Sequence, residues 1–368
     1  MCQFQPSAEE GVGQGKIAGY LSAHLSCMSS PSDTRPRTVV LLQYAGIGDL
    51  VWHIPYFKLI ADQSQGGRVT VVAQPSTLTR AFIGKEPWVE EVIDHDHRPR
   101  RGEKRRGKHA GFAGMWRMAQ QLKAGRFDRI ILFSGRPSRG LVAWLSGIRI
   151  RQGFGYRFLQ RMFLNSGPYI EAYKGPSLAV YPEASAFMVA HGYCPEPIVP
   201  HLQPPTELLA QMQTRLANMP RPLYAFAIGT SETHKQWGIQ NFADLACALI
   251  AQGAGVMLLG GPAEVQTAKD IEALIPEKAR HALTLVTDAP VLGSAATLQV
   301  ADFCVGNDTG MVNVAAAVGR PSFVIIGSRP TLDQDPQNMR NVTAAHLSDI
   351  TVERVLGLLR EARHGEHA

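Results

Sequence analysis

The stretch Ala301–Gly327, ADFCVGNDTGMVNVAAAVGRPSFVIIG, predicts a strand, a tight turn, a helix and a second strand. The turn GNDTG follows a short apolar run and precedes a series of small apolar residues. It therefore places Asp308, Thr309 and Gly310 at a helix N-terminus, where free backbone N–H groups and the helix dipole attract a phosphate. In the alternative interpretation, the side chain of Asp308 or Thr309 only caps the helix.

Two further stretches have a related pattern. Thr38–Gln43, TVVLLQ, predicts a strand that ends in a glycine-containing turn, and Leu50–Asp62 has helical periodicity, so Asp49 lies where that helix begins. Phe226–Trp237, FAIGTSETHKQW, combines an apolar run with a polar turn. A predicted helix separates it from Val256–Glu264, VMLLGGPAE, a strand that ends in a Gly-Gly-Pro turn.

Together these stretches resemble the lipopolysaccharide heptosyltransferases of glycosyltransferase family 9. The resemblance spans about residues 38–360, and its motifs are Gly48-Asp49 followed by Pro55, Lys235-x-Trp237 after Gly229-Thr230, Gly260-Gly261-Pro262-x-Glu264 and Asn307-Asp308-Thr309-Gly310. It implies the α/β architecture called GT-B, in which two doubly wound Rossmann-like domains face each other across a cleft. It also implies an inverting transfer of a sugar that needs no metal and no cofactor.

The composition limits the class of protein. A chain of 368 residues with 45% apolar residues is expected to form two ordinary globular domains. No apolar run is close to the length of about 18 residues that a transmembrane helix needs. Met1–Glu10 lacks the basic start and the apolar core of a secretory signal. The five cysteines are scattered, which disfavours a zinc site and favours a reducing compartment. We therefore expect a cytoplasmic protein. Peripheral contact with the cytoplasmic face of the inner membrane is what the resemblance implies, together with the basic segment described below.

Strands and helices alternate in both halves of the chain, as in a doubly wound parallel sheet, whose ligands lie at the carboxyl ends of the strands. Seven prolines in Pro195–Pro222 suggest a boundary there. The prediction is a poorly ordered extension (1–37, with Met28 as an alternative start), an acceptor-binding domain (38–200), a nucleotide-sugar-binding domain (201–348) and a final helix (349–368). The resemblance implies that this last helix packs back on the first domain.

Sugar transfer from a nucleotide diphosphate needs a base for the acceptor hydroxyl and positive charge near the leaving phosphates. Asp49 is the predicted base, because the base of the family matches this position; the alternative is that it only caps its helix. Lys235 is the predicted phosphate partner; the alternative is a surface lysine.

The remaining donor-binding predictions are less direct. Thr230 and the backbone around Thr309 and Gly310 would complete the phosphate site. Glu264 would bind the nucleotide ribose, as the matching acid does in the family; alternatively it only complements the helix dipole. The family usually has His where this chain has Asn313. An asparagine can still bind a sugar hydroxyl, but it cannot carry charge, which leaves the donor sugar open. ADP-heptose is the donor that the resemblance implies.

The segment Arg98–Lys108, here called the basic arm, holds seven basic residues and one glutamate, a local charge of +6 that equals the net charge of the whole chain. The alternatives are a solvated loop or an anion-binding arm. The absence of interleaved aromatic residues argues against nucleic acid. In the resembled family the acceptor is a phosphorylated, Kdo-bearing glycolipid core, so the arm suits an anionic acceptor or lipid surface. The predicted acceptor-binding residues are Arg98, Arg100, Arg101, Lys104, Arg105 and Arg106.

Two other functions remain to be compared with an inverting glycosyltransferase. A catalytically silent nucleotide-sugar-binding or scaffold protein would have the same fold, but the presence of Asp49 argues against it. A nicotinamide dehydrogenase is disfavoured because Val51 stands where the third glycine of the dinucleotide fingerprint is required.

Overall fold

The computed structural model describes residues 33–97, 105–230 and 232–365. The predictions for residues 1–32 and 98–104 therefore lie outside the described residues. Arg35–Ala368 group into one compact unit, and its described residues form two parallel sheets flanked by helices. No helix among the described residues has the length and apolar character needed to cross a bilayer.

The first sheet confirms the predicted alternation of strands and helices in the N-terminal half. Its strand order is β3-β2-β1-β4-β5, and neighbouring strands are parallel. Its elements are β1 (Thr38–Leu42), α1 (Ile47–Asp62), β2 (Val69–Ala73), α2 (Thr79–Ile83), β3 (Val89–Asp94), α3 (Gly111–Ala124), β4 (Arg129–Phe133), α4 (Pro137–Leu145), β5 (Ile150–Gly153), α5 (Phe158–Arg161) and α6 (Val180–Ala190).

The second sheet has the strand order β11-β10-β9-β6-β7-β8, again with parallel neighbours. Its elements are α7 (Thr206–Arg215), β6 (Leu223–Ala227), α8 (Ile239–Ile250), β7 (Gly255–Leu259), α9 (Val265–Leu274), β8 (Leu283–Val286), α10 (Val291–Val300), β9 (Phe303–Asn307), α11 (Gly310–Ala317), β10 (Ser322–Gly327), β11 (Met339–Thr343) and α12 (Val352–Gly365).

Each sheet has a point where the strand order reverses. In the first sheet, β2 and β3 extend the sheet from β1 on one side, and β5 extends it from β4 on the other, so the order reverses between β1 and β4. In the second sheet the order reverses between β6 and β9. Loops that follow such a pair of strands separate and leave a crevice at their carboxyl ends. Asp49 follows β1 and Asp308 follows β9, so the topology places both predicted residues beside a crevice.

The two sheets share an apolar core. Leu42 and Phe133 of the first sheet, Val324 of the second sheet and Val312 of α11 belong to one cluster of buried side chains, and α1 packs against α11. Both helices are rich in apolar residues around their whole circumference, as expected for helices that are covered on more than one side. The sheets are therefore joined by packing as well as by the connecting chain.

Several features differ from the sequence-based expectations. The proline-rich segment contains helix α7, which packs against α10. Helices α2, α5 and α10 and strands β5 and β11 were not predicted either. The final helix does not pack back on the first domain in its main contacts: it packs against α8, and its buried Val355 and Leu359 belong to the core of the second sheet. The helix stays on the second half because these two side chains bury its apolar face in the core of the second sheet. The domain boundary at residue 200 stays a prediction.

Candidate functional site

The N-termini of α1 and α11 meet between the two sheets. A Cβ atom added to Gly48 would lie 2.6 Å from Nδ2 of Asn313, and one added to Gly310 would lie 2.6 Å from Cβ of Ile47. Real Cβ atoms do not approach other heavy atoms so closely. At Gly310 the neighbours are a Cβ atom and a backbone nitrogen, so that position requires glycine; at Gly48 the amide of Asn313 would have to move. The two glycines let the first turns of both helices touch, and they bring the predicted site residues of both halves together.

A cavity of about 690 Å³, here called the cleft, lies at this junction. Six of the predicted site residues line it, three of them on the turn before α11 or in its first residue. They are Asp49, Lys235, Asp308, Thr309, Gly310 and Asn313. The sequence thus identified residues from both halves that converge on one space.

Asp49 lies in the first turn of α1. Its Oδ2 accepts a hydrogen bond of 2.8 Å from the backbone N–H of Gly46, so the carboxylate does support the helix start, as the capping alternative predicted. Burial raises its pKa to about 6, the charge of Asp308 adds to the increase, and the Gly46 hydrogen bond and the charge of Lys235 oppose it. A carboxylate with this pKa accepts a proton more readily than an ordinary aspartate and is still ionised at neutral pH.

Asp308 does not cap α11. Its Oδ2 lies 3.2 Å from Nζ of Lys235 and also accepts a hydrogen bond from Nη1 of Arg329. Thr309 is the N-cap residue, and its side chain makes no capping hydrogen bond. The capping alternative is therefore wrong for both residues. The first N–H groups of α11 have no partner within the helix, and two cations lie beside them.

The two cations are held in place from different sides. Lys235 Nζ also contacts Glu232 Oε2 at 3.1 Å, and Arg329 Nε donates to the backbone carbonyl of Ile326 at 3.2 Å. Nη2 of Arg329 is buried and has no hydrogen-bond partner. Two carboxylates, Asp308 and Glu232, thus contact the two cations, and one donor of Arg329 is left over for a further acceptor.

Buried Asn307 fixes the position of the Lys235 segment. Its Oδ1 accepts from the backbone N–H of Trp237 at 2.9 Å, and its Nδ2 donates to the carbonyl of Ile228 at 2.9 Å and to the side chain of Gln236. The indole of Trp237 is buried and donates to the carbonyl of Ile350 at 2.7 Å. The motif residues Asn307 and Trp237 therefore position Lys235 against Asp308.

Thr230 and Glu264 lie outside the lining of the cleft, at the ends of the next two strands. Thr230 exchanges hydrogen bonds with the backbone of Glu232. Glu264 Oε2 accepts from the N–H of Gly261 at 2.8 Å, and its carboxylate lies against Gly229. Because neighbouring strands are about 4.8 Å apart, the turns after β9, β6 and β7 form a row of about 10 Å.

Asn313 is buried, and most of its hydrogen-bonding capacity is used. Its Oδ1 accepts from Nε1 of Trp52 at 3.2 Å and from Nε2 of Gln334 at 2.7 Å, and its Nδ2 donates to the carbonyl of Thr309 at 3.1 Å. One N–H of the amide is left for a ligand. The asparagine thus ties α11 to α1, and its contact with the donor sugar stays a prediction.

The basic arm is described only from Arg105 onward; Arg98, Arg100, Arg101 and Lys104 lie outside the described residues. Arg105 pairs with Asp96 at 2.6 Å and holds the pKa of that carboxyl below its usual range, and Arg106 is exposed. Neither arginine lines the cleft. The role of the arm in acceptor binding stays a prediction.

Sequence reasoning missed Arg329 and the buried pair Trp52 and Gln334. Arg329 follows Gly327, the last residue of β10, so the rule that ligands lie at the carboxyl ends of strands could have identified it. The contacts of Trp52 and Gln334 with Asn313 join residues 261 and 21 positions apart, and no local pattern announces them.

Comparison with known proteins agrees with this geometry. Residues 115–348 match the model of glycosyltransferase family 9 (heptosyltransferase). Lipooligosaccharide heptosyltransferase 2 of Haemophilus influenzae is 32% identical over 116 residues, which are 31% of this chain and 33% of that relative. Lipopolysaccharide heptosyltransferase 2 of Salmonella typhimurium is 25% identical over 267 residues, which are 65% of this chain and 76% of that relative.

The fold is similar to the solved structure of the Escherichia coli ADP-heptose lps heptosyltransferase II. The TM-score is 0.67 at 19% sequence identity, with 90% of this chain and 100% of that chain covered. The arrangement of two parallel-sheet domains is therefore that of the GT-B heptosyltransferases. Since the family model matches more than half of its residues, the chain belongs to glycosyltransferase family 9, the heptosyltransferases, and is a glycosyltransferase.

Proposed function

We propose that this protein is an inverting heptosyltransferase that transfers heptose from ADP-heptose to an anionic glycolipid of the lipopolysaccharide core. The main observation is the pairing of functions across the cleft: a carboxylate with a pKa of about 6 faces two cations at a helix N-terminus. The similarity to a lipopolysaccharide heptosyltransferase 2 and to an ADP-heptose lps heptosyltransferase II supports this donor and this class of acceptor.

In the proposed reaction, Lys235, Arg329 and the first N–H groups of α11 hold the diphosphate of the donor. The row of turns after β9, β6 and β7 suits the rest of the nucleotide, with Glu264 on the ribose and Thr230 between ribose and phosphate. These three turns span about 10 Å, which is of the same order as the length of a nucleoside diphosphate. Asn313, with its one remaining N–H, would contact the sugar.

Asp49 acts as the general base. It takes the proton of the acceptor hydroxyl while the hydroxyl oxygen forms a bond to the anomeric carbon. The bond between that carbon and the diphosphate oxygen breaks, and the negative charge that develops on the phosphates is stabilised by Lys235 and Arg329. Because base and leaving group lie on opposite sides of the sugar, the configuration at the anomeric carbon is inverted.

Removing either cation is expected to weaken donor binding. Lys235→Ala and Arg329→Met should each raise the Kd for ADP by about 10- to 100-fold, the range of one charge-assisted contact, and Asp308→Ala should weaken binding by releasing both cations. Calorimetric titration with ADP measures this. Lys269→Ala, an exposed lysine on α9, is the matched control. Unchanged affinity in all three variants would remove the diphosphate from this position.

The acceptor is proposed to reach the cleft from a membrane surface through the basic arm. Two exposed aromatic side chains, Phe112 (69% exposed) and Trp116 (49% exposed), lie on α3 directly after the arm. Cations beside exposed aromatic rings are typical of surfaces that contact anionic bilayers. This supports the peripheral contact that the charge of the arm predicts.

Replacement of Arg100, Arg101, Lys104 and Arg106 by serine should raise the KM for a phosphorylated, lipid-linked acceptor, because fewer cations would attract the anionic surface. Arg105 is kept, since it pairs with buried Asp96 at 2.6 Å. Thermal unfolding checks that the variant is folded. The increase should shrink at high salt, where screening already weakens the wild type. Acceptor kinetics at two ionic strengths test this. The triple replacement of Lys269, Lys278 and Arg354 by serine, on the second half, is the control. An identical salt dependence in arm variant and wild type would exclude the arm from acceptor recognition.

The second candidate, a catalytically silent nucleotide-sugar-binding protein, differs in one measurable property. It would bind ADP-heptose with Lys235 and Arg329 but would produce no ADP in the presence of an acceptor. The raised pKa of Asp49 favours the enzyme over this candidate.

A further inference from the structure

A buried arginine lies at the ligand edge of the first sheet. Arg139, in the first turn of α4, is 2% exposed, and its Nε is buried without a hydrogen-bond partner. Among the described residues no carboxylate forms an ion pair with it. Burial lowers its pKa to about 10, and the charge of Arg136 adds to the decrease. An isolated charge in such a place is strongly unfavourable unless something neutralises it.

Two buried histidines accompany it. The rings of His95 and His109 lie 5.7 Å apart, and Nδ1 of each is buried without a partner. Burial and then the charge of Arg139 lower the pKa of His95, to about 2. Burial also lowers the pKa of His109; the charge of Asp96 opposes this decrease, and the charges of Arg117, Lys108 and Arg139 add to it. Both histidines are therefore neutral and lie within the field of the arginine. A neutral histidine can donate one N–H to an anion.

The position of this group is that of a ligand site. His95 directly follows β3, His109 precedes α3, and Arg139 begins α4, so all three lie at the carboxyl ends of the strands. Strands β3 and β1 are two positions apart, so His95 lies about 10 Å along the edge from the turn that carries Asp49. The loops between them are hydrogen-bonded, with Gln74 Nε2 donating to the carbonyl of Gln43 at 2.7 Å.

The charges around the group favour an anion over a cation. Asp96 directly follows His95. Its Oδ2 is held by Arg105 Nη1 at 2.6 Å and by the N–H of Lys108 at 3.1 Å, and its buried Oδ1 has no hydrogen-bond partner, so one carboxylate lies among several cations. Further cations, Arg117 and Arg136, act on the group from α3 and from the start of α4. Among the described residues, no three His, Cys, Asp or Glu side chains are arranged to hold a metal.

We propose that Arg139, His95 and His109 form a subsite for an oxyanion, a phosphate or carboxylate group of the acceptor. The guanidinium would bind two oxygens of the anion side by side, and the histidines would donate to the others. The link to the acceptor rests on the proposed function, whereas the binding of the anion does not. The subsite would hold the acceptor at the same sheet edge as the base.

The test follows the histidine ring nitrogens by NMR during a titration with inorganic phosphate, at an ionic strength held constant with sodium chloride. In the wild type the ring signals of His95 and His109 should shift with saturation, while exposed His281 of the second half should not. Arg139→Met should raise the Kd for this response at least tenfold. Arg149→Met, the same change at an exposed arginine, should leave it unchanged. Sodium acetate in place of phosphate distinguishes a carboxylate subsite from a phosphate subsite.

Arg139→Met removes an unpaired buried charge, so this variant should melt no lower than the wild type. His109→Gln is the second variant if Arg139→Met does not fold.

Two results would overturn the proposal. One is no response to either anion, which would mean that ordered water alone occupies the group; the other is an unchanged response in Arg139→Met. Phosphate binding without any transferase activity would leave the subsite in place and contradict only the proposed function. With activity, Arg139→Met should raise the KM for phosphorylated acceptors more than for dephosphorylated ones.

Discussion

Asp49→Asn is expected to lower kcat by a factor of about 10²–10⁴ while the Kd for ADP changes little. The amide cannot accept the proton of the acceptor hydroxyl, but its oxygen can still accept the hydrogen bond that Gly46 donates at 2.8 Å. The loss should therefore be confined to the chemical step. Single-turnover kinetics with saturating donor measures it. Asp62→Asn, at the exposed end of the same helix, is the matched control.

The pH dependence should identify the same group. Because the ionised carboxylate is the active form, kcat/KM of the wild type should rise with pH up to about pH 6 and then level off, and the residual activity of Asp49→Asn should lack this rise.

The pKa of Asp49 in the folded state, about 6, exceeds the ordinary value of 3.8, so the folded state binds more protons than the unfolded state between these two pH values. Asp49 therefore loses its stabilising contribution as pH rises through this window.

At pH 7 the ionised carboxylate of Asp49 destabilises the fold, and Asp49→Asn should consequently unfold at the same temperature as the wild type or at a higher one. A variant that loses most of its turnover without losing stability has lost a functional group and not its structure. Near-normal turnover in Asp49→Asn, or a pH profile that the substitution leaves unchanged, would show that another group is the base.

Gly310→Ala is expected to damage both stability and activity. Its new Cβ would lie 2.6 Å from Cβ of Ile47 and 3.2 Å from the backbone N of Gly48, and backbone atoms cannot move aside as a side chain can. Overpacking of this kind costs about 1–3 kcal/mol of stability. It should also push the start of α11 away from α1. Because misplaced reacting groups reduce rates steeply, we expect kcat/KM to fall by about 10²-fold.

Gly357→Ala is the matched control for this change. Gly357 lies in α12 with nothing within 4 Å of the added Cβ, so alanine should stabilise the helix by about 0.5–1 kcal/mol. Thermal unfolding and acceptor kinetics of both variants give the comparison. If Gly310→Ala behaved like Gly357→Ala in both measurements, the close contact between the two helix starts would not be required for the site.

The sequence was sufficient to predict the elements whose apolar periodicity is strong. The strand-turn-helix units that carry Asp49 and Asp308 are of this kind, because a buried parallel strand is an unbroken apolar run and a glycine turn ends it. Helix α7 was missed because prolines surround it: Pro205 precedes its first residue, and the helix itself contains none. Strand β11 was missed because only two of its five residues are buried.

The site was predictable where it depends on local order and unpredictable where it depends on packing between the halves. Asp308 and Lys235 were identified from their turns, but the pairing of Asp308 with Arg329 joins residues 21 positions apart in the chain. Asn313 was recognised as a departure from the family, yet its hydrogen bond to Trp52 follows only from the meeting of α1 and α11. A single sequence carries no direct signal of such contacts.

The contact between Gly48, Ile47 and Gly310 also determines which parts of the molecule a hinge motion can move. If the two sheets rotate relative to each other, this contact is the natural pivot, because the glycines bring the two helix starts together there with little space between them. Displacement grows with distance from a pivot, so the rim of the cleft would move more than its base. The span from Asp49 to the Lys235–Arg329 pair would change least, and the reacting geometry would be insulated from the motion that admits substrates.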